Sequence, residues 1–280
     1  MPSDTHQILR FRAFTTSGAD PRSGNPAGVV LHAESLTDED MLAIAAELGY
    51  SETAFLTEIT DDSARVRYFT PRAEINFCGH ATIASGVALA RRGASPVIRF
   101  HTKAGEVPVE ASPHSATLTA VDTTVSGLSE PILEELMAAL RLTRLDLDDQ
   151  LPPSFVRGGN PHPIVPVAPG VLDRLDHDPD TLLALQDRLG WDGTVPVVQR
   201  LSETRFRSRN PFPRGGIRED PATGSAAAGL GAYLRAGGHV RLPAEITIEQ
   251  GRETGHASLL RVIIPADGRI RVTGTADQVG

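Results

Sequence analysis

The sequence predicts an α+β fold of predominantly antiparallel strands, built as two homologous halves. Three observations carry this reading. Short apolar segments bounded by Gly, Pro, Asp or Ser recur along the 280-residue chain. Two stretches thick with Ala, Gly and Ser have the length of helices but no polar face. One order of motifs also occurs twice: a Gly-Asn-Pro triplet, apolar strands, a polar Gly turn and a small-residue helix.

Strands are expected over residues 7–14, 28–32, 53–58, 65–69, 97–101, 106–110 and 116–120. The first amphipathic helix starts after Thr37, which can cap a first turn containing Asp38, Glu39 and Asp40. Met41, Leu42, Ile44, Ala45 and Leu48 follow at helical spacing, and Gly49 stops it. Similar patterns predict helices over 131–140 and 181–189. The small-residue helices are ATIASGVALARR at 81–92 and AAAGLGAYLRA at 226–236, each expected to be enclosed by other structure. They follow the turns Cys78-Gly79-His80 and Thr223-Gly224-Ser225. Asn25 precedes His80 by 55 residues, and Asn160 precedes Ser225 by 65. The halves are expected to join near 121–130, with the active site in the cleft where the two Gly turns face each other.

Composition narrows the function classes. Lys+Arg is 27 against 35 Asp+Glu, a net charge of −8, and lysine is represented by Lys103 alone. Arg205, Arg207, Arg209 and Arg214 are interleaved with turn residues rather than laid along a helix, which argues against nucleic acid. A small anionic ligand held by local donors remains compatible with the acidic balance. No apolar run approaches the roughly 20 residues of a membrane span. The start MPSDTHQILRF lacks signal-peptide character, and a single cysteine, Cys78, excludes an internal disulfide and a multi-cysteine zinc site. The expectation is a cytoplasmic protein.

The two Gly turns are the first candidates for chemistry. A helix N-terminus presents unpaired amides and the positive end of the dipole, so two of them across a cleft can hold a carboxylate and stabilise charge developing beside it. The structural alternative is a pair of ordinary helix starts capped by His80 and Ser225. Glu52 alternates in step with Ala54 and Leu56, so it is expected on their apolar face, where desolvation raises a carboxyl group toward neutral pH. The competing reading is an exposed strand-end glutamate. Asp220, held extended by Pro221, either points into the cleft or serves a turn. His80 can donate to a substrate oxygen or shuttle a proton. The histidines show no metal-ligand spacing, and His162 is the one other histidine worth keeping.

These motifs resemble the phenazine-biosynthesis PhzF-like family within the diaminopimelate epimerase superfamily. The carriers are FTTSGADPRSGNPAGVV near the start, SETAFL at 51–56, YFTPRAEINFCGHATIASG at 68–86 and REDPATGSAAAG at 218–229. EQGRETG at 249–255 is a weaker echo. The resemblance implies two pseudo-symmetric domains, each an antiparallel sheet or barrel wrapped around a central helix. The units would be 1–122, completed by 265–280, and 128–264. It further implies cofactor-free and metal-free proton chemistry in a homodimer, with Glu52 as general acid/base assisted by His80 and Asp220. Asn25, Cys78, Gly79, Thr223, Gly224 and Ser225 would bind the substrate.

Enzymes of the PhzF type shift double bonds in dihydro-3-hydroxyanthranilate. Diaminopimelate epimerases instead use two opposed cysteines, whose positions here hold Cys78 and Thr223. A threonine with no base evident beside it does not replace a thiolate, so two-thiol racemisation is not expected. The favoured expectation is an isomerase acting on a small carboxylate. The alternatives are an epimerase or dehydratase of an amino-acid-like substrate such as a hydroxyproline, and a non-catalytic carboxylate-binding protein on the same fold.

Overall fold

A computed structural model describes residues 6–16 and 20–280. The first five residues of the start read for targeting, and Ser17, Gly18 and Ala19 of the first motif, lie outside the described residues. Strands β1 (Gln7–Ala13) and β2 (Asn25–Leu31) pair antiparallel. Helix α1 (Asp38–Leu48) follows, capped by Thr37 in a reciprocal box with Asp40 and closed by Gly49 in the left-handed region, φ 65°. Its Met41 and Ala45 pack on Val30, Phe55 and Phe69. Crossing through α1 makes β3 (Glu52–Thr57) parallel to β2, and β4 (Ser63–Phe69) returns antiparallel to β3. After the two-residue β5 (Glu74–Ile75), α2 (Gly79–Ala90) crosses to β6 (Val97–Thr102), parallel to β4. Strands β7 (Gly105–Ala111) and β8 (Ser115–Thr119) finish an antiparallel meander.

The second half repeats this order of directions. The segment expected to join the halves contains β9 (Thr124–Gly127), whose Thr-Val-Ser-Gly run pairs along β10 (Ser154–Gly158). Helix α3 (Glu130–Ala139) lies between them in sequence. Strand β11 (Asn160–Pro166) is antiparallel to β10. Helices α4 (Val171–Arg174) and α5 (Pro179–Leu189) cross to β12 (Val197–Arg200), parallel to β11. Strand β13 (Arg205–Arg209) turns back antiparallel, and α6 (Gly224–Ala236) crosses to a parallel β14 (Ala244–Gln250). Strands β15 (Ser258–Ile264) and β16 (Arg271–Gln278) complete the meander. Antiparallel pairing predominates as expected, and the parallel pairs fall where a helix crosses over.

Strand β16 serves both halves. It pairs with β8 along one edge and with β15 and then β1 along the other, closing β1–β4 and β6–β8 with itself into an eight-stranded barrel. That barrel wraps α2, of which Gly79 through Leu89 are all buried. The second sheet wraps α6, of which Gly224 through Leu234 are all buried. The absence of polar faces in the sequence therefore has its cause in enclosure. The hydroxyls inside α2 are spent internally: Thr82 donates to the Cys78 carbonyl at 2.6 Å and Ser85 to the Ala81 carbonyl at 2.7 Å. Among the described residues no helix is long and apolar enough to cross a membrane.

Both small-residue helices begin earlier than expected. Cys78 and Thr223, in extended conformation, hold the cap positions, so His80 and Ser225 sit within the first turns. Gly79 and Gly224 take the first helical positions despite their poor helix propensity, because the two backbones meet there. The four arginines of the sequence cluster are each neutralised by acids: Arg205 by Glu249, Arg207 by Asp173 and Glu253, Arg209 by Glu219, and Arg214 by Asp187 and Asp192.

Candidate active site

The N-termini of α2 and α6 face each other at the boundary between the halves. Neither cap residue bonds the first turn with its side chain, so the leading amides of both helices are left for whatever occupies the adjoining space. That space is a cavity of about 460 Å³. Its wall includes Gly79 and His80 from one helix, Gly224 and Ser225 from the other, and the carboxyl groups of Glu52 and Asp220. The two termini and both carboxyl groups expected in the cleft are brought together.

Glu52 opens β3, whose first five residues are all buried. Phe55 packs beneath α1 while Ala54 and Leu56 face the central core, so the strand is buried on both faces rather than on one. Glu52 is 6% exposed, and its Oε2 has no hydrogen-bond partner among the described residues. Burial, and then the charge of Asp220, push its carboxyl up to about 8. His80 Nε2 lies 3.5 Å from Oε2. Burial drives that imidazole down to about 3, so near neutral pH the contact joins two uncharged groups and is not an ion pair. A neutral His80 can orient a proton but is a poor store for one. Cys78 Sγ stands 3.2 Å from His80 Nδ1, and burial raises its thiol well above the usual value. Glu52, Cys78 and His80 bring one donor each within 4.8 Å, a set of types that holds transition metals; a cation there would first displace the carboxyl and thiol protons.

Asp220 is fixed from three sides. Asn25 Nδ2 donates to its Oδ1 at 2.7 Å across the boundary between the halves, and Thr223 Oγ1 donates to its Oδ2 at 2.6 Å. Gln250 Nε2 donates to its carbonyl at 2.7 Å and to Thr223 Oγ1 at 3.1 Å. Burial raises the carboxyl to about 6, while the Thr223 and Asn25 bonds hold it down. Near pH 7 the balance is an ionised Asp220 beside a protonated Glu52. Thr223 thus has a carboxylate beside it, contrary to the sequence expectation, but it acts as that carboxylate's donor. Asn25 is 1% exposed and stands behind Asp220, so it supports the site rather than lining it.

Ser225 joins a second cluster. His162 Nε2 lies 2.9 Å from its Oγ, and His162 Nδ1 lies 3.0 Å from the Thr194 carbonyl. Burial holds His162 neutral, down to about 4. Sequence reasoning missed Gln250 and Arg72. Both sit inside quoted motifs, but neither carries a spacing signal of its own. Arg72 lines the cavity with no ion pair among the described residues, while Arg214, the other arginine there, is spent on Asp187 and Asp192.

Comparison with known proteins agrees with this architecture. Residues 11–279 match the family model described as phenazine biosynthesis-like protein, PhzC-PhzF. The uncharacterized isomerase YfhB of Bacillus subtilis is 32% identical over 284 residues, covering 96% of this chain and 95% of that protein. The uncharacterized isomerase YddE of Escherichia coli K12 is 33% identical over 287 residues, with 96% and 95% covered. The crystal structure of the Bacillus anthracis PhzF-family protein superposes with a TM-score of 0.81 at 27% identity, covering 98% of each chain. The chain therefore belongs to the phenazine biosynthesis-like protein family, among its isomerases.

Proposed function

We propose that the protein is a cofactor-independent isomerase that moves a proton between carbons of a small carboxylate, the reaction type of dihydro-3-hydroxyanthranilate isomerisation. The observation that carries this is Glu52: a buried carboxyl with an unpartnered oxygen, raised to about 8, in a cavity flanked by two helix N-termini. The ionised form of Glu52 takes a proton from a carbon next to an unsaturated or carbonyl system. The charge left behind spreads toward the substrate carboxylate, where the amides of the α2 and α6 first turns receive it. Each such donor is worth about 3 kcal/mol at the transition state. Protonated Glu52 then returns the proton at another carbon, with His80 holding the geometry.

Epimerisation by two opposed bases would require Asp220 to face Glu52 as a free base. Both Asp220 oxygens are instead engaged, by Asn25 and Thr223, which favours single-base chemistry. We extend to this chain a homodimeric state, from its family resemblance, and a cytoplasmic setting, from its composition and single cysteine. The test is solvent deuterium incorporation. The protein is incubated in D₂O with dihydro-3-hydroxyanthranilate, diaminopimelate, proline and 3-hydroxyproline, and label is read by mass spectrometry. Label at carbon in one of them is the expected result. Carboxylate binding by calorimetry with no label in any compound would contradict catalysis and leave a binding protein.

A further inference from the structure

Proton transfer uses Glu52 and the helix amides one by one, yet the fold also gathers three unlike donors into a set. Glu52 comes from the start of β3, and Cys78 and His80 from the start of α2. Each offers one ligand atom, and all three atoms lie within 4.8 Å of one another. His80 Nε2 is 3.5 Å from Glu52 Oε2 and 3.8 Å from Cys78 Sγ. A tetrahedral zinc ion bound by thiolate, imidazole and carboxylate sets its ligand atoms about 3.4–3.6 Å apart. The two distances to the imidazole are therefore close to ligand spacing.

A second observation points the set at a ligand. Glu52 is 6% exposed, and its Oε2 has no hydrogen-bond partner among the described residues, so a buried acceptor faces the set unspent. The side-chain oxygens that His80 Nε2 meets, Ser51 Oγ and Glu52 Oε2, both stand at 3.5 Å, the limit of a hydrogen bond. All three residues line the 460 Å³ cavity, which gives an ion its way in. The charges also close. A divalent ion with one thiolate and one carboxylate is neutral in sum, as a buried site favours, and the two displaced protons leave to solvent. An ionised Asp220 on the same cavity wall adds attraction for a cation.

We propose that Glu52, Cys78 and His80 form a binding site for a divalent ion of the zinc class, with its fourth position open to the cavity, and that filling this site shuts off proton transfer. The ion takes no part in the isomerisation. It ties up the carboxylate that would accept the substrate proton. That consequence rests on the proposed role of Glu52, whereas the site itself does not. The second half builds no counterpart: Thr223 and Ser225 stand where the first half has Cys78 and His80, and their hydroxyls do not replace thiolate and imidazole as ligands for zinc. The mixed donor set also discriminates against magnesium and calcium, which take oxygen ligands.

The probe is the metal alone. Cobalt(II), a coloured stand-in for zinc, is titrated into the purified protein after chelator treatment. One cobalt per chain is expected, with visible bands of tetrahedral intensity and a near-ultraviolet thiolate-to-cobalt band. Cys78 is the sole cysteine, so that band has a single source. In Cys78→Ser, which keeps the side-chain size and suits the cap position, the band is lost. Zinc affinity, read by competition with a chromophoric chelator, should fall at least about tenfold to a hundredfold in Cys78→Ser and in His80→Gln, since losing even an outer partner of a ligand costs that much. Magnesium in excess should not displace cobalt. One equivalent of zinc should suppress deuterium incorporation by the wild type by more than about tenfold, and chelator should restore it. No thiolate band, displacement by magnesium, or zinc affinity unchanged in both variants overturns the site. Full exchange by the zinc-loaded protein overturns the inhibition. Cobalt bound as expected with no label in any compound supports the site and counts against the isomerase reading alone.

Discussion

A Cβ placed on Gly79 would stand 2.9 Å from the Cα of Gly224, and one on Gly224 would stand 3.2 Å from the Cα of Gly79. The two enclosed helices thus touch backbone to backbone at their first residues, which brings both sets of free amides into one cavity. No side chain larger than hydrogen fits either position without moving a helix. The separation of the two anion-holding ends is therefore fixed by the two glycines.

Replacing Gly79 with Ala is expected to lower stability by about 1–3 kcal/mol through overpacking against main chain that cannot rotate aside. Deuterium exchange into substrate should fall much further than the stability loss alone would cause, since the two helix ends are pushed apart. Calorimetric melting and exchange rates check both. An unchanged melting temperature would show that the helices are not in contact in solution.

The pH dependence of stability has a definite sign. Glu52 is raised from 4.5 to about 8 in the folded state, so the folded chain holds a proton that the unfolded chain releases across this interval. Stability from this group is complete below pH 4.5 and is lost as pH rises through 8, at up to 1.4 kcal/mol per pH unit as an order of magnitude. Asp220 acts in the same direction, but only up to about 6. His80 and His162, buried neutral, act oppositely below 6.5. Between about pH 6.5 and 8 the Glu52 contribution stands largely alone. Denaturant midpoints should fall across this window in the wild type and flatten in Glu52→Gln. A wild-type midpoint that holds level across the window would contradict a neutral buried Glu52.

The charge of Asp220 is one reason Glu52 is raised. Asp220→Asn should therefore lower the Glu52 pKa, by about one unit for a charge held in the same cavity. A carboxyl ¹³C NMR titration of the variant reads this without requiring activity. No movement of Glu52 would mean that burial alone sets its value.

Much of the fold was legible because its signals are local. Thr37, Asp40 and Gly49 announce α1 within one stretch of chain, and the missing polar faces of the two small-residue helices announce their enclosure. The repeat of Asn25 with Asn160, and of the two Gly turns, showed the two halves. The exact helix starts were not legible. His80 and Ser225 look like caps by residue type, yet the glycine contact across the halves starts each helix earlier, and that contact has no sequence signal. Asn25 and Asp220 are 195 residues apart, so no pattern could show that one is the donor to the other. The burial of β3 on both faces was likewise hidden, because the packing of α1 on Phe55 is decided in three dimensions.

The central claim is that Glu52 moves the proton, and its most direct test is deuterium exchange by Glu52→Gln alongside the wild type on the compound that takes up label. Glutamine keeps the size of the side chain and removes its acid and base forms. The account predicts a loss of label incorporation of about a thousandfold or more, with substrate still bound and the fold melting at an equal or higher temperature. Label incorporated by Glu52→Gln at a rate near that of the wild type would contradict the account and assign the chemistry to another residue.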